Sequence, residues 1–447
     1  MAGNKGGSGG FIKSSEPIRE TKKQPNVQPI ILMNVFTLIT LLLVGASLLA
    51  YLNTRFLKLP DAIGVMVLSL LFSLAMLGLN AIAPSLLEQV RQGVGQIDFG
   101  EVLFDVMLSF LLFAGAFHTD AARLRVERRS VMLFAFVGVL LSTFFVGTGL
   151  YYIGNGLGFE LPYLLCLLFG ALISPTDPIA VLGILAKFRL PESVKINIVG
   201  ESLFNDGVGV VVFATIYEMV VGGTDTVTLG HISLTFLEEA GGGVLFGLAL
   251  GYLLYWLLRS INHYQTEVLL TVAGVMGGYL LAQQLHISGP LAMVVAGLLV
   301  GDKARQDAMS HQTEEYVDKF WELIDSILNA LLFVLIGLEL LVIPFGNGPW
   351  TIYLLVILLV LLSRYLAILI PFTLARRWLD LDANAPLMLT WGGLRGGLSV
   401  AMALSIPESI PQKAFIVTIT YVVVLFSVIG QGLTMERLIR RLYPTSD

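Results

Sequence analysis

The chain has 447 residues, of which 56% are hydrophobic and 13% charged, with a formal net charge of −5 and a mean hydropathy of +0.82. A soluble domain cannot hide that much apolar surface, so the chain requires a lipid bilayer. The thin, scattered charges exclude a nucleic-acid surface, and the single cysteine, Cys166, excludes a disulfide framework or a cysteine metal site.

Residues 1–29 are polar and Gly/Ser-rich, carry Lys5, Lys13, Arg19, Lys22 and Lys23, and read as a disordered tail. The apolar run from Ile30 is too long for a signal-peptide core and no small-residue cleavage site follows it, so it counts as the first span. Crossing ~30 Å of hydrocarbon takes about 20 helical residues. Polar breaks divide the chain into thirteen such stretches, at 30–52, 61–81, 101–118, 131–153, 162–186, 193–220, 232–259, 267–285, 288–302, 320–343, 351–375, 385–406 and 412–434. The expected fold is an all-α polytopic membrane protein with a transmembrane part over 30–434 and a short tail over 435–447.

Positive loops stay in the cytoplasm. Loops after odd-numbered spans, with the C-terminal tail, hold 18 Lys and Arg, whereas loops after even-numbered spans hold only Arg91 and Lys413. The bias places the C-terminus in the cytoplasm and the N-terminus outside, although the basic N-terminal tail pulls the other way.

The fifth span contains Pro175 and Pro178 around Thr176 and Asp177, and proline removes backbone hydrogen bonds, so this helix breaks at mid-depth. The twelfth carries Gly392, Gly393, Gly396 and Gly397 around Arg395, which makes unwinding cheap. Irregular backbone at that depth survives only where protein or a watery cavity receives its polar groups. The broken spans lie seven apart in order, an odd shift that reverses direction across the membrane. Spans 1–6 and 8–13 therefore read as inverted repeats, the pattern of a secondary transporter with its site at the midplane.

The sixth span places Glu201, Ser202, Asn205 and Asp206 among apolar residues. With Asp177, Arg364 and Arg395, unpaired charges at mid-membrane would cost of order 10–15 kcal/mol, so they must pair. Ser202 and Asp206, four apart, share a helical face, as do Glu201 and Asn205, while Glu201 and Asp206 diverge by about 140°. This assigns Asp206, Ser202 and Thr176 to a hard monovalent cation such as Na+, which takes oxygen ligands, and Glu201 to an arginine. Desolvation disfavours the charged form of a carboxyl group, so proton and cation can compete at one buried carboxylate.

SPTDPIAV at Ser174 to Val181, ESLFNDG at Glu201 to Gly207, the span containing Arg364, and WGGLRGGLS at Trp391 to Ser399 together resemble the monovalent cation:proton antiporters of the NhaP type, related to animal sodium/proton exchangers. The resemblance implies an NhaA-like fold with two crossed broken helices. It also implies a homodimer in which a core of spans 4–6 and 11–13 moves like an elevator against a dimerisation domain of spans 1–3 and 7–10. Carried over by position, Asp206 binds cation or proton, Asn205 completes an Asn-Asp pair typical of electroneutral exchangers, and Thr176, Asp177 and Ser202 line the site. Glu201 pairs with Arg364, and Arg395 offsets Asp177 and the half-helix ends. The implied cargo is Na+ against H+ in the inner membrane of a bacterium, for pH homeostasis, with no cofactor and no enzymatic step. K+ or Li+ in place of Na+ remains open.

Other readings explain less. An intramembrane aspartyl protease built on Asp177 and Asp206 wants a GxGD-like motif that is absent, and a cation channel predicts uncoupled current. Asp105 and Glu339 sit nearer span ends, where hydrated charges are common, and His118, His231, His263, His286 and His311 are too dispersed for a metal site. The Gly241, Gly242, Gly243, Gly247 and Gly251 series in the seventh span suits close helix packing.

Overall fold

The computed structural model describes residues 35–79, 83–95, 99–185, 187–188, 190–222, 229–303, 311–343 and 350–444. The expected tail at 1–29 lies outside the described residues. The described chain is almost wholly helical. In order run α1 (Val35–Leu52), α2 (Asp61–Gly78), α3 (Phe99–Phe117), α4 (Arg128–Gly156), α5a (Tyr163–Ile173), α5b (Ile179–Leu185), α6 (Glu192–Gly222) and α7 (Leu229–Arg259). They are followed by α8 (Tyr264–Gln284), α9 (Gly289–Leu299), α10 (His311–Glu339), α11 (Trp350–Ala375), α12a (Ala385–Gly392), α12b (Gly397–Leu404) and α13 (Lys413–Leu442).

Among the described residues, ten helices are long and apolar enough to cross a bilayer. The expected spans that fall short are 162–186 and 385–406, which are broken, and 288–302, where α9 has 11 residues and widens into a π turn at 300–303. Ser288 starts α9 by accepting a hydrogen bond from the Leu291 amide, with Pro290 in the first turn where its missing N–H costs nothing. The helices turn apolar side chains such as Leu48, Leu74, Leu245 and Leu358 outward, as a multi-pass membrane protein must.

Two differences from the sequence expectation have physical causes. The stretch given to a tail from 435 is helical to Leu442, because Met435 and Ile439, four apart, are buried while Arg437, Arg440 and Arg441 point out. Short helices also form at Pro84–Gly95 and Ala121–Val126, too polar or too short to register as spans.

Helices α4, α5a, α6, α11, α12a, α12b and α13 pack on one another, and α1, α2, α3 and α7 to α10 form a second set. The sets meet where α6 touches α3, α7 and α9, where α12b touches α3 and α10, and where α2 touches α5b and α13. Within the second set, Gly251 of α7 lies against α9 so closely that a Cβ there would stand 3.1 Å from the Ala296 Cα, which is why small residues occupy this face.

Candidate functional site

The site begins with the two breaks. After Ile173 the chain runs extended through Pro175, Thr176 and Asp177, and after Gly392 it runs extended through Leu394 and Arg395. The segments cross antiparallel, and the Asp177 N–H donates to the Leu394 carbonyl at 2.8 Å. Glycine leaves room for the neighbouring side chains beside this crossing. A Cβ on Gly393 would sit 2.9 Å from Arg364 Nη2 and 3.0 Å from Thr176 Cγ2, and one on Gly396 would collide with the Asp177 carboxylate.

Breaking a helix leaves carbonyls without partners at its C-terminal end. Arg395 answers this for α5a, since its Nη1 donates to the Ser174 and Pro175 carbonyls at 3.0 and 3.1 Å. The guanidinium is itself buried and puts positive charge where the half-helix dipole is negative. The Arg395 backbone N–H donates to Ser427 Oγ at 2.9 Å, Ser427 Oγ donates to Gln431 Oε1 at 2.7 Å, and Gln431 reaches back to the Trp391 carbonyl at 3.3 Å. A π turn at Phe426–Gln431 of α13 holds these two side chains.

α6 passes this crossing. Asn205 spans to Thr176 with two bonds: its Oδ1 accepts from the Thr176 N–H at 3.2 Å and its Nδ2 donates to Thr176 Oγ1 at 2.7 Å. Ser202 Oγ lies 2.9 Å from the same Thr176 hydroxyl. Asn205 thus sides with Ser202 and Thr176 rather than with Glu201. Glu201 faces away, its Oε1 2.6 Å from Arg364 Nη2 on α11, with each side chain only 2% exposed. The contact is ionic and not a well-aligned hydrogen bond, and Arg364 Nε and Nη1 find no hydrogen-bond partner.

Asp206 and Asp177 both face a cavity of about 120 Å³ with Thr176, Ser202 and Ser399 among its lining, ample for water, since one molecule needs only about 10–15 Å³. The charges close enough to act on Asp206 are Asp177 and Arg395. A second cavity of about 550 Å³, lined by His118, Asp120, Arg123, Glu192, Lys195, Asp318 and Glu322, adjoins it, the two sharing Gly115, Leu182, Val199 and Asp325. It opens on the side of the loops that follow α3, α5b and α9. There Arg123 pairs with Glu192 and His118 Nε2 lies 3.5 Å from Asp318 Oδ1. Toward the other side, Leu332 of α10 packs on Gly397 of α12b.

The structure therefore brings together Thr176, Asp177, Ser202, Asn205 and Asp206, and places the Glu201–Arg364 pair and Arg395 around them. Glu339, buried at the end of α10, stands apart from the cavity, and the Asp105 side chain lies outside the described part of the chain. Sequence reasoning passes over Ser427, Gln431 and Asp325. Serine and glutamine in an apolar span are weak signals, whereas Asp325 is an acid inside the expected span 320–343 and meets the rule that such residues mark function.

The family described as "Sodium/hydrogen exchanger, transmembrane" matches residues 39–441. The chain is 48% identical to the Na(+)/H(+) antiporter NhaP of Pseudomonas aeruginosa over 405 residues, 89% of this chain and 94% of that protein. It is 34% identical to the Na(+)/H(+) antiporter NhaH of Halobacillus dabanensis over 92% of this chain and 98% of that one. The structure of the sodium proton antiporter MjNhaP1 from Methanocaldococcus jannaschii matches with a TM-score of 0.72 over 92% of this chain and 99% of that chain, at 21% identity, and so shares the fold. Broken helices, their crossing and a matched length of this extent lead to one conclusion: the chain belongs to the sodium/hydrogen exchanger family.

Proposed function

We propose that the protein exchanges Na+ for H+ across the cell membrane by alternating access, with the Asp206 carboxylate holding either ion. The observation that carries this reading is the placement of Asp206 on an intact helix, facing a cavity at the point where two broken helices cross. Ser202 and Thr176 supply hydroxyl oxygens beside it, and a hard cation prefers such oxygen donors. Asn205 and Arg395 fix the geometry of the break. One titrating carboxylate trades one cation for one proton, so the exchange is electroneutral.

The larger cavity opens toward the loops that follow odd-numbered spans, and by the positive-charge rule that side is cytoplasmic. The helix set containing α5, α6, α12 and α13 moves against the set containing α10. Leu332 on Gly397 seals the site on the far side in this state, and the seal and the opening exchange sides as the ion crosses. The weakly buried α1 and the exposed face of α7, with Tyr252 and Trp256, are apolar surfaces for lipid and for a second copy in a homodimer.

The test is proton flux into proteoliposomes of purified protein under Na+, K+ and Li+ gradients, with the membrane potential clamped at zero and then at a negative value. The reading expects Na+-driven flux that ignores the potential. Flux driven only by K+ replaces Na+ as the cargo, and Na+ current without proton movement ends the exchange reading.

A further inference from the structure

Two adjoining cavities lie where the first turns of α4 meet the end of α11, on the side of the positive loops. The outer one, of about 280 Å³, is polar, with Arg125, Arg128, Arg129, Ser130 and Asp380 in its lining. The deeper one, of about 660 Å³, is apolar, with Met132, Leu133, Phe136 and Ala375. Arg129, Trp378 and Leu379 border both. Phe136 follows Arg129 by seven residues, so the apolar cavity reaches ~10 Å further into the bilayer. Trp378 is 76% exposed, so the pair of cavities opens outward, and tryptophan favours the level of lipid headgroups. Among the described residues Arg125 pairs with Asp302, but no ion pair reaches Arg128 or Arg129. Of the two acids beside them, Glu127 is buried and accepts hydrogen bonds from Ser130 Oγ at 3.0 Å and Asn197 Nδ2 at 3.3 Å, which leaves Asp380. Arginines at the start of a helix oppose its dipole, a cost that an anion seated there removes. Cytoplasmic orientation accounts for arginines in these loops, but not for an apolar cavity directly beneath them.

We infer that this is a binding site for an anionic phospholipid of the cytoplasmic leaflet, with its phosphate on Arg128 and Arg129 and an acyl chain in the apolar cavity. Guanidinium forks match phosphate oxygens bidentately, and basic pockets between membrane helices on the cytoplasmic side take anionic headgroups. Charge and shape together choose the occupant. A zwitterionic lipid brings its own cation to the arginines, and free phosphate leaves the apolar cavity unfilled. Because α4 and α11 pack in the set that contains α6 and Arg364, the lipid attaches to that set rather than to the set of α1 and α7. The inference stands apart from the exchange reading, since it concerns binding and not transport.

Native mass spectrometry of the full, delipidated chain tests this, with phosphatidylglycerol, phosphatidylcholine and inorganic phosphate as probes. Each arginine beside an anionic headgroup contributes about fivefold in affinity. Wild type therefore holds phosphatidylglycerol about tenfold or more tighter than phosphatidylcholine. Arg128→Gln combined with Arg129→Gln removes that preference and leaves phosphatidylcholine unchanged. Both arginines are exposed, so this variant melts with wild type when no lipid is added. Arg259→Gln, at an exposed arginine ending α7, alters neither affinity, and Ala375→Phe, which fills the apolar cavity, weakens phosphatidylglycerol severalfold. Photoactivatable phosphatidylglycerol on unsubstituted protein attaches within 129–136 and 375–379. The inference is overturned by equal affinity of wild type for the two lipids, by an equal loss in Arg259→Gln, or by attachment of the photoactivatable lipid only elsewhere. It is likewise overturned if millimolar inorganic phosphate displaces the lipid while Ala375→Phe has no effect, which marks a site for free phosphate.

Discussion

Removing one member of the Glu201–Arg364 pair tests how the charge beside the site is held. Both side chains are 2% exposed and their charged atoms stand 2.6 Å apart. Charge centres about 4 Å apart at an effective dielectric constant near 20 attract by about 4 kcal/mol, which matches the ~3–5 kcal/mol lost when one partner of a buried pair is deleted. Because Arg364 Nε and Nη1 have no hydrogen-bond partner, Glu201 is the main compensation for the guanidinium. Glu201→Gln therefore destabilises more than Arg364→Gln, since a stranded carboxylate can neutralise itself by taking a proton and a guanidinium cannot. Unfolding of the two single variants and the double variant in mixed detergent micelles, followed by tryptophan fluorescence, measures the coupling. We expect the double variant to be more stable than the sum of the singles requires, by about 2–3 kcal/mol. Additivity within about 0.5 kcal/mol would refute the reasoning, because residues that do not interact behave that way.

Three further outcomes follow from the same geometry. Arg395→Ala strips the Ser174 and Pro175 carbonyls of their charged donor and should cost about 1.5–3 kcal/mol per bond, read as a lower melting temperature with transport lost. Asn205→Ala removes both bonds to Thr176 and should raise the KM for Na+ severalfold while thermal stability falls by about 1–3 kcal/mol; an unchanged KM removes Asn205 from the site. Gly393→Ala forces a methyl against Arg364 and Thr176 and should cost about 1–3 kcal/mol, whereas Gly241→Ala on α7, where a Cβ meets nothing within 4 Å, should be silent in both melting and flux.

Much of this architecture is legible in the sequence because the bilayer imposes one rule on every span. Apolar runs had to be helical, and α6, expected at 193–220, forms at Glu192–Gly222. The breaks at Pro175 and at Gly393–Gly396 are equally legible, as proline and glycine act locally. What is less legible depends on neighbours. The spacing rule pairs Asn205 with Glu201, but Asn205 lies only about 60° around the helix from Ser202, and the Thr176 amide opposite decides which way it bonds. The polar chain from Arg395 through Ser427 to Gln431 arises from a π turn in α13 that no periodicity announces. The helix beyond 434 escapes a search for uniformly apolar stretches, since only one of its faces is apolar.

The central claim is that the Asp206 side chain carries both ions in turn. The most direct measurement is Na+-driven proton flux in proteoliposomes of wild type, Asp206→Asn and Asp206→Ala, with size-exclusion and circular dichroism profiles taken on the same preparations. The account predicts flux in wild type and none in either variant, with all three proteins folded alike. Sodium-dependent proton movement surviving in a folded Asp206→Asn or Asp206→Ala protein would contradict it.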